Sequence, residues 1–153
     1  MSEEPQRISI SNRKARHEYF ILEALEAGIV LTGTEVKSLR KGNANLQDSY
    51  AELRSGEVWL EGMHIGPYEQ GNINNHEPRR KRKLLLQRKQ IRKLISGMKE
   101  KGLTLIPLSV YFKGPYAKVE LALARGKKSY DKRDAIAKRD AERDIARARR
   151  SRT

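Results

Sequence analysis

Residues 106–123 read Ile106-Pro107-Leu108-Ser109-Val110-Tyr111-Phe112-Lys113-Gly114-Pro115-Tyr116-Ala117-Lys118-Val119-Glu120-Leu121-Ala122-Leu123. Ile106, Leu108, Val110 and Phe112 stand at every second position, and so do Ala117, Val119, Leu121 and Leu123. Side chains alternate across a strand, so each set lines one face of a half-buried strand. Lys113-Gly114-Pro115 supplies a turn between them. The chain therefore contains an antiparallel hairpin whose core face is fixed by pattern alone.

Working back from it, Leu84, Ile91, Leu94, Ile95 and Met98 recur at helical spacing, and Gly102 stops that helix. Gly66 to Pro78, rich in glycine, asparagine and proline, reads as a loop. Leu46 to Leu60 reads as a second hairpin, turning at Ser55-Gly56-Glu57. Tyr19 to Leu25 and Ile29 to Leu31 suggest two short strands, with Gly28 supplying the turn. Thr34 is the expected N-cap of a short helix that closes at Lys41-Gly42. About six strands and two helices predict an α+β fold, mainly β. A small OB-like antiparallel β-barrel with flanking helices removes the open edges that short strands would otherwise expose.

The ends differ from this body. Residues 1–16 are polar and are expected to form a flexible arm, and residues 17–125 the barrel. From Arg125 to Thr153 there are twelve Lys/Arg and five Asp/Glu, with too few apolar residues for a core. Alanine and arginine favour helix, and Asp134 with Lys138 adds support at i, i+4. Residues 126–153 are expected to be a basic tail, disordered when free and helical against an anionic partner.

The whole chain of 153 residues carries a formal charge of +14, with 34% charged residues. Nucleic acid is the usual anion for such an excess, because binding releases its condensed counterions. The chain lacks cysteine, which excludes disulfides, cysteine nucleophiles and cysteine-ligated zinc. No apolar run reaches the roughly 18 residues of a membrane span, and the acidic start is unlike a signal peptide, so the cytoplasm is the default compartment. His17, His64 and His76 lack metal-ligand spacing, and no catalytic or phosphate-loop motif stands out. No cofactor, no metal and no enzymatic activity are expected, although a nuclease can assemble its acids in three dimensions.

Three features bear on chemistry. Arg79-Arg80-Lys81-Arg82-Lys83, with Arg88, Lys89, Arg92 and Lys93, gives nine cations and no acid over fifteen residues. This is a solvated face, a phosphate-binding surface or, ranked lower, a membrane-surface helix. Gly126-Lys127-Lys128-Ser129-Tyr130-Asp131-Lys132-Arg133 is either a plain hinge or a backbone-approach site with charge and one stacking ring. Among the aromatic residues, Phe20 and Phe112 are expected in the core, while Trp59 and Tyr116 are open between core and base stacking. His17 beside Arg13, Lys14 and Arg16 is a surface residue or an RNA contact.

Asn12-Arg13-Lys14-Ala15-Arg16-His17-Glu18-Tyr19-Phe20 resembles the amino-terminal signature of the SsrA-binding proteins, also called small protein B. Glu26-Ala27-Gly28, Gly33-Thr34-Glu35-Val36-Lys37-Ser38-Leu39-Arg40 and Asp48-Ser49-Tyr50 are similar to the same family. So are Arg82-Lys83-Leu84-Leu85-Leu86, Ala117-Lys118-Val119, and Gly126-Lys127-Lys128 with Asp131-Lys132-Arg133. The likeness runs from Asn12 to Arg133.

The resemblance implies a monomeric RNA-binding protein without catalytic chemistry. It would hold the tRNA-like domain of transfer-messenger RNA and stand in for the missing anticodon stem. It would then lay its tail in the decoding site and empty message channel of a stalled 70S ribosome, against 16S rRNA. RNA-binding residues so implied or read from charge are Arg13, Lys14, Arg16, His17, Glu26, Arg82, Lys83, Leu85, Gln87 and Lys118. The ribosome-facing hinge and tail would comprise Gly126, Lys127, Lys128, Tyr130, Asp131, Lys132, Arg133, Lys138, Arg139, Arg143 and Arg147. Late in the tail, Ala141, Ala148 and Arg149 stand where many relatives carry a tryptophan and bulky apolar residues. That difference favours an electrostatic path along ribosomal RNA.

Overall fold

The computed structural model describes residues 7–69, 75–99, 102–127 and 143. The elements run β1 (Arg7–Ser11), α1 (Arg13–Glu18), β2 (Tyr19–Ile29), α2 (Gly33–Arg40), β3 (Ala44–Asn45), β4 (Tyr50–Arg54), β5 (Glu57–Glu61), β6 (His64–Ile65), β7 (Arg82–Leu85), α3 (Arg88–Met98), β8 (Leu103–Lys113) and β9 (Tyr116–Gly126). Pairing proceeds β8-β4-β5-β7-β2-β9 and returns to β8, every pair antiparallel. Six strands thus close on themselves, which leaves no edge within that circuit. β1 adds to β8 beyond β4, and β3 with β6 forms a separate small ribbon. The expected α+β class with an OB-like barrel holds.

The deciding hairpin is present as β8 and β9, paired from Leu103↔Arg125 to Lys113↔Tyr116. Its pattern is more divided than the alternation suggests. The register slips between Pro107 and Ser109, so Leu108 is an extra residue in β8. Val110 and Phe112 consequently face the main core with Val119, Leu121 and Leu123, while Ile106 and Leu108 face outward. There they meet Ala122, Ala124 and Ala15 of α1 in a second apolar layer. Small alanines on β9 let the helix approach. The main core inside the barrel includes Leu39, Val58, Leu60, Met63, Leu84, Leu94 and Leu105, each nearly or wholly buried. Each such side chain stabilises by roughly 1.5–3 kcal/mol.

Several local expectations change. Residues 7–16 are not a free arm: β1 pairs with β8, and α1 seats the buried Ala15 against it. The Asn12 side chain donates to the Pro107 carbonyl at 3.0 Å rather than capping α1. Tyr19 to Ile29 is one long strand, not two, and Gly28 lies within it, paired with both Lys118 and Leu85. The N-cap of α2 is Thr32, not Thr34: its hydroxyl accepts from the Glu35 amide, and the Glu35 carboxylate accepts from the Thr32 amide. Leu84 belongs to β7, and the helix begins only at Arg88. The second hairpin is as read: β4 and β5 turn at Ser55 and Gly56, both with positive φ (53° and 75°). The tail from residue 128 lies outside the described residues, apart from an exposed Arg143.

Candidate nucleic-acid interface

The strand register carries four outward positions into one row. Tyr111 on β8 stands beside Lys118 on β9, Lys118 beside Gly28 on β2, and Gly28 beside Leu85 on β7. Val119, next to Lys118, is wholly buried, so Lys118 faces out. Leu85 is 53% exposed, unusual for a leucine flanked by a barrel core. At Gly28 an added Cβ would stand 3.2 Å from the Leu85 Cβ, so glycine leaves the row a shallow floor. Gln87, exposed, continues from Leu85 as the N-cap of α3 and shares a reciprocal capping box with Gln90.

Glu26 lies one outward position from Gly28. It accepts a hydrogen bond from the Tyr111 hydroxyl at 2.5 Å, and Lys113 stands 3.7 Å away. Burial, then the Glu26 carboxylate, push the Tyr111 phenol well above its usual value. It therefore stays a donor and fixes the carboxylate's direction. Tyr116, 68% exposed, is two residues from Lys118 on the same strand face and offers a stacking ring. The row thus combines an acceptor, a cation, an apolar side chain and an aromatic face, the set that structured RNA with unpaired bases requires.

Arg13, Lys14, Arg16 and His17 are exposed on α1, which runs along the ribbon from Asn12 beside Pro107 to Tyr19 beside Gly126. Nine residues of strand separate Tyr19 from Gly28, roughly 30 Å. Gly126 pairs with Tyr19, and the Lys127 ammonium donates to the Arg16 carbonyl at 3.1 Å and lies 5.2 Å from the Phe20 ring centre. Lys127, at the root of the tail, thus meets the end of α1, while Arg16 reaches back along the ribbon to Glu120 at 3.9 Å, two residues from Lys118 on the same strand face. Phe20, expected in the core, is 41% exposed, whereas Phe112 is buried as expected.

Arg82 does not join either surface. It is fully buried, and its guanidinium bonds to the Glu35 carboxylate and to the carbonyls of Met63 (2.6 Å) and Pro78 (3.0 Å). A period-two reading of Arg82-Lys83-Leu84-Leu85 would have placed Arg82 inside with Leu84. Lys83 faces outward but is engaged by Glu57 at 3.0 Å. Beside it Trp59, half-buried, lies across from Glu52 and Lys83, and Lys81 bonds Glu61 at 2.8 Å. Lys81, then Glu52, hold the Glu61 carboxyl at about 2. This wall balances its own charges. Lys128, Tyr130, Asp131, Lys132, Arg133, Lys138, Arg139 and Arg147 lie outside the described residues.

A closed OB-like barrel with outward-facing cations on α1, β9 and α3 defines a nucleic-acid-binding barrel protein. Among the described residues no group of three or more metal ligands occurs, and no helix is long and apolar enough to cross a membrane. The chain belongs to the SmpB protein family, whose sequence profile matches residues 9–151. It is 66% identical over 150 residues to an SsrA-binding protein of Desulforudis audaxviator, covering 98% of both chains. It is 60% identical over 147 residues to an SsrA-binding protein of Carboxydothermus hydrogenoformans, covering 96% of this chain and 99% of that one. Among solved structures, it matches a chain from work described as "tmRNA-SmpB: a journey to the center of the bacterial ribosome". The TM-score is 0.66 and the identity 55%, over 77% of this chain and 83% of the other.

Proposed function

We propose that the protein is the partner of transfer-messenger RNA in trans-translation. The row Lys118, Gly28 and Leu85, with Glu26 and Gln87, grips the tRNA-like domain. Lys127, at the far end of the ribbon, faces the ribosome. From there the basic tail enters the decoding site and the empty message channel, and the barrel occupies the place of an anticodon stem. The protein acts as a cytoplasmic monomer and a positioning partner, with no bond made or broken by its own side chains.

Family membership together with that outward row carries this reading. RNA that co-purifies with the full chain from cells should be dominated by transfer-messenger RNA over bulk tRNA when sequenced. Removing residues 128–153 should leave that enrichment intact and abolish the tagging of stalled nascent chains. Equal loss of both would overturn the division between grip and tail.

A further inference from the structure

The cationic run of the sequence is split by the fold. Arg82 is buried and Lys81 and Lys83 are held by Glu61 and Glu57. The rest of the run goes onto α3, whose residues Arg88–Met98 include four cations and no acid. Leu94 is the one residue of α3 that is fully buried, and Gly97 rests on Leu123, where an added Cβ would clash at 2.6 Å. The opposite side presents Arg88, Lys89, Arg92 and Lys93, all exposed, in two pairs each one turn apart. Lys93 is bridged to Glu23. No ion pair engages Arg88, Lys89 or Arg92 among the described residues.

This placement is unfavourable to the helix itself. Arg88 and Lys89 occupy its first turn, where the positive end of the macrodipole repels cations, and no acid offsets them. Packing gives no reason for the choice, because these side chains face solvent. An anion brought to that surface does. The first turn follows directly from Gln87 and Leu85, so the strip is continuous with the row on the barrel. From Arg88 to Met98, α3 extends about 15 Å, and the exposed Lys99 follows as its C-cap.

We propose that the solvent face of α3, through Arg88, Lys89 and Arg92, is a sequence-independent phosphate strip that extends the RNA footprint beyond the Leu85–Lys118 row. It takes the phosphodiester backbone of the RNA already held by that row. The proposal rests on the function proposed above and adds a backbone contact to it. Phosphate contacts position an RNA without reading its bases, so the strip adds affinity and salt dependence rather than selectivity.

The test compares the full chain with the triple variant Arg88→Gln, Lys89→Gln, Arg92→Gln and with Lys118→Glu, on transfer-messenger RNA and on tRNA over a potassium chloride series. The triple variant should lower the slope of log K against log salt by roughly two, at about 0.7–0.9 for each phosphate no longer neutralised. Its preference for transfer-messenger RNA over tRNA should persist. Its melting temperature should stay level or rise, because repulsion at the helix start is relieved. That combination separates a binding strip from a structural one. An unchanged slope in the triple variant while Lys118→Glu binds weakly overturns the strip and leaves the function standing. A wild-type chain without preference for transfer-messenger RNA overturns the function and the strip with it. Binding to phosphatidylglycerol vesicles that the triple variant loses, without a change in the RNA slope, assigns the face to a membrane and also overturns the strip.

Discussion

The Arg82 guanidinium and the Glu35 carboxylate are both shut off from solvent and meet Nε to Oε2 at 2.5 Å. Arg80 joins the other carboxylate oxygen from the half-exposed side. Through this node α2, β7, the segment before it and the Met63 carbonyl hold one another. The node sits one residue from Lys83 and three from Leu85. It fixes which side chains of β7 point in and which point out, and a slip of one residue there would send Leu85 inward.

Replacing Glu35 by Gln should therefore be severe. It leaves the Arg82 charge buried without its counter-ion, at a cost of roughly 3–5 kcal/mol. The melting temperature should fall by roughly 10–20 °C, read by circular dichroism. A loss of only a degree or two would mean that water reaches Arg82. The same pair predicts an acid limb. Burial pushes the Glu35 carboxyl up, but Arg80, the Thr32 amide and Arg82 together hold it below its ordinary value of 4.5. A carboxyl depressed in the folded state stabilises above the unfolded value, and that contribution is lost as pH falls through the folded one. Wild type should lose stability below about pH 4.5 more steeply than Glu35→Gln.

Gly28→Val tests the floor of the proposed RNA row. Valine suits a strand, but its Cβ would press on the Leu85 Cβ, now 3.2 Å from that position. RNA affinity should fall by about tenfold, or 1.4 kcal/mol, while the melting temperature changes little. A valine variant that binds RNA as wild type does would show that the row is not the contact surface.

The core face of β9 was legible because Ala117, Val119, Leu121 and Leu123 obey one period throughout. The face of β8 was not, because an unpaired Leu108 inverts the pattern midway, and the inserted residue is as apolar as its neighbours. Gly28 misled for a related reason: a glycine between apolar residues signals a turn or a close approach, and only the neighbouring strand decides which. Arg82 was hidden inside a run of cations, since composition cannot show that one of five is fully buried against a carboxylate forty-seven residues away. The separation of Lys127 and the Phe20 ring from Lys118 depends on the length of β2, which reads as two strands in sequence.

Lys118→Glu should weaken transfer-messenger RNA binding by at least about tenfold and lower the salt slope by about one, the effect of removing one phosphate-neutralising cation. The reversed charge would stand on the face where Glu26 and Glu120 already lie across from each other. The barrel should still melt cooperatively, because Lys118 lies outside the core. Unchanged affinity would remove Lys118 from the interface.

Lys127 lies over the Phe20 ring and donates to the Arg16 carbonyl at the end of α1, so two contacts on different elements aim the chain as β9 ends. Phe20→Leu keeps an apolar side chain but removes the aromatic face, worth about 0.5–1 kcal/mol at an exposed site. On the proposed function, a root that aims the chain less well should deliver the tail to the message channel less often. Tagging of stalled chains in a reconstituted translation system should fall about two- to fivefold. Affinity for transfer-messenger RNA should not change, since Phe20 stands roughly 30 Å along the ribbon from the Lys118 row. If RNA binding falls in parallel with tagging, the two ends of the ribbon are not separate surfaces.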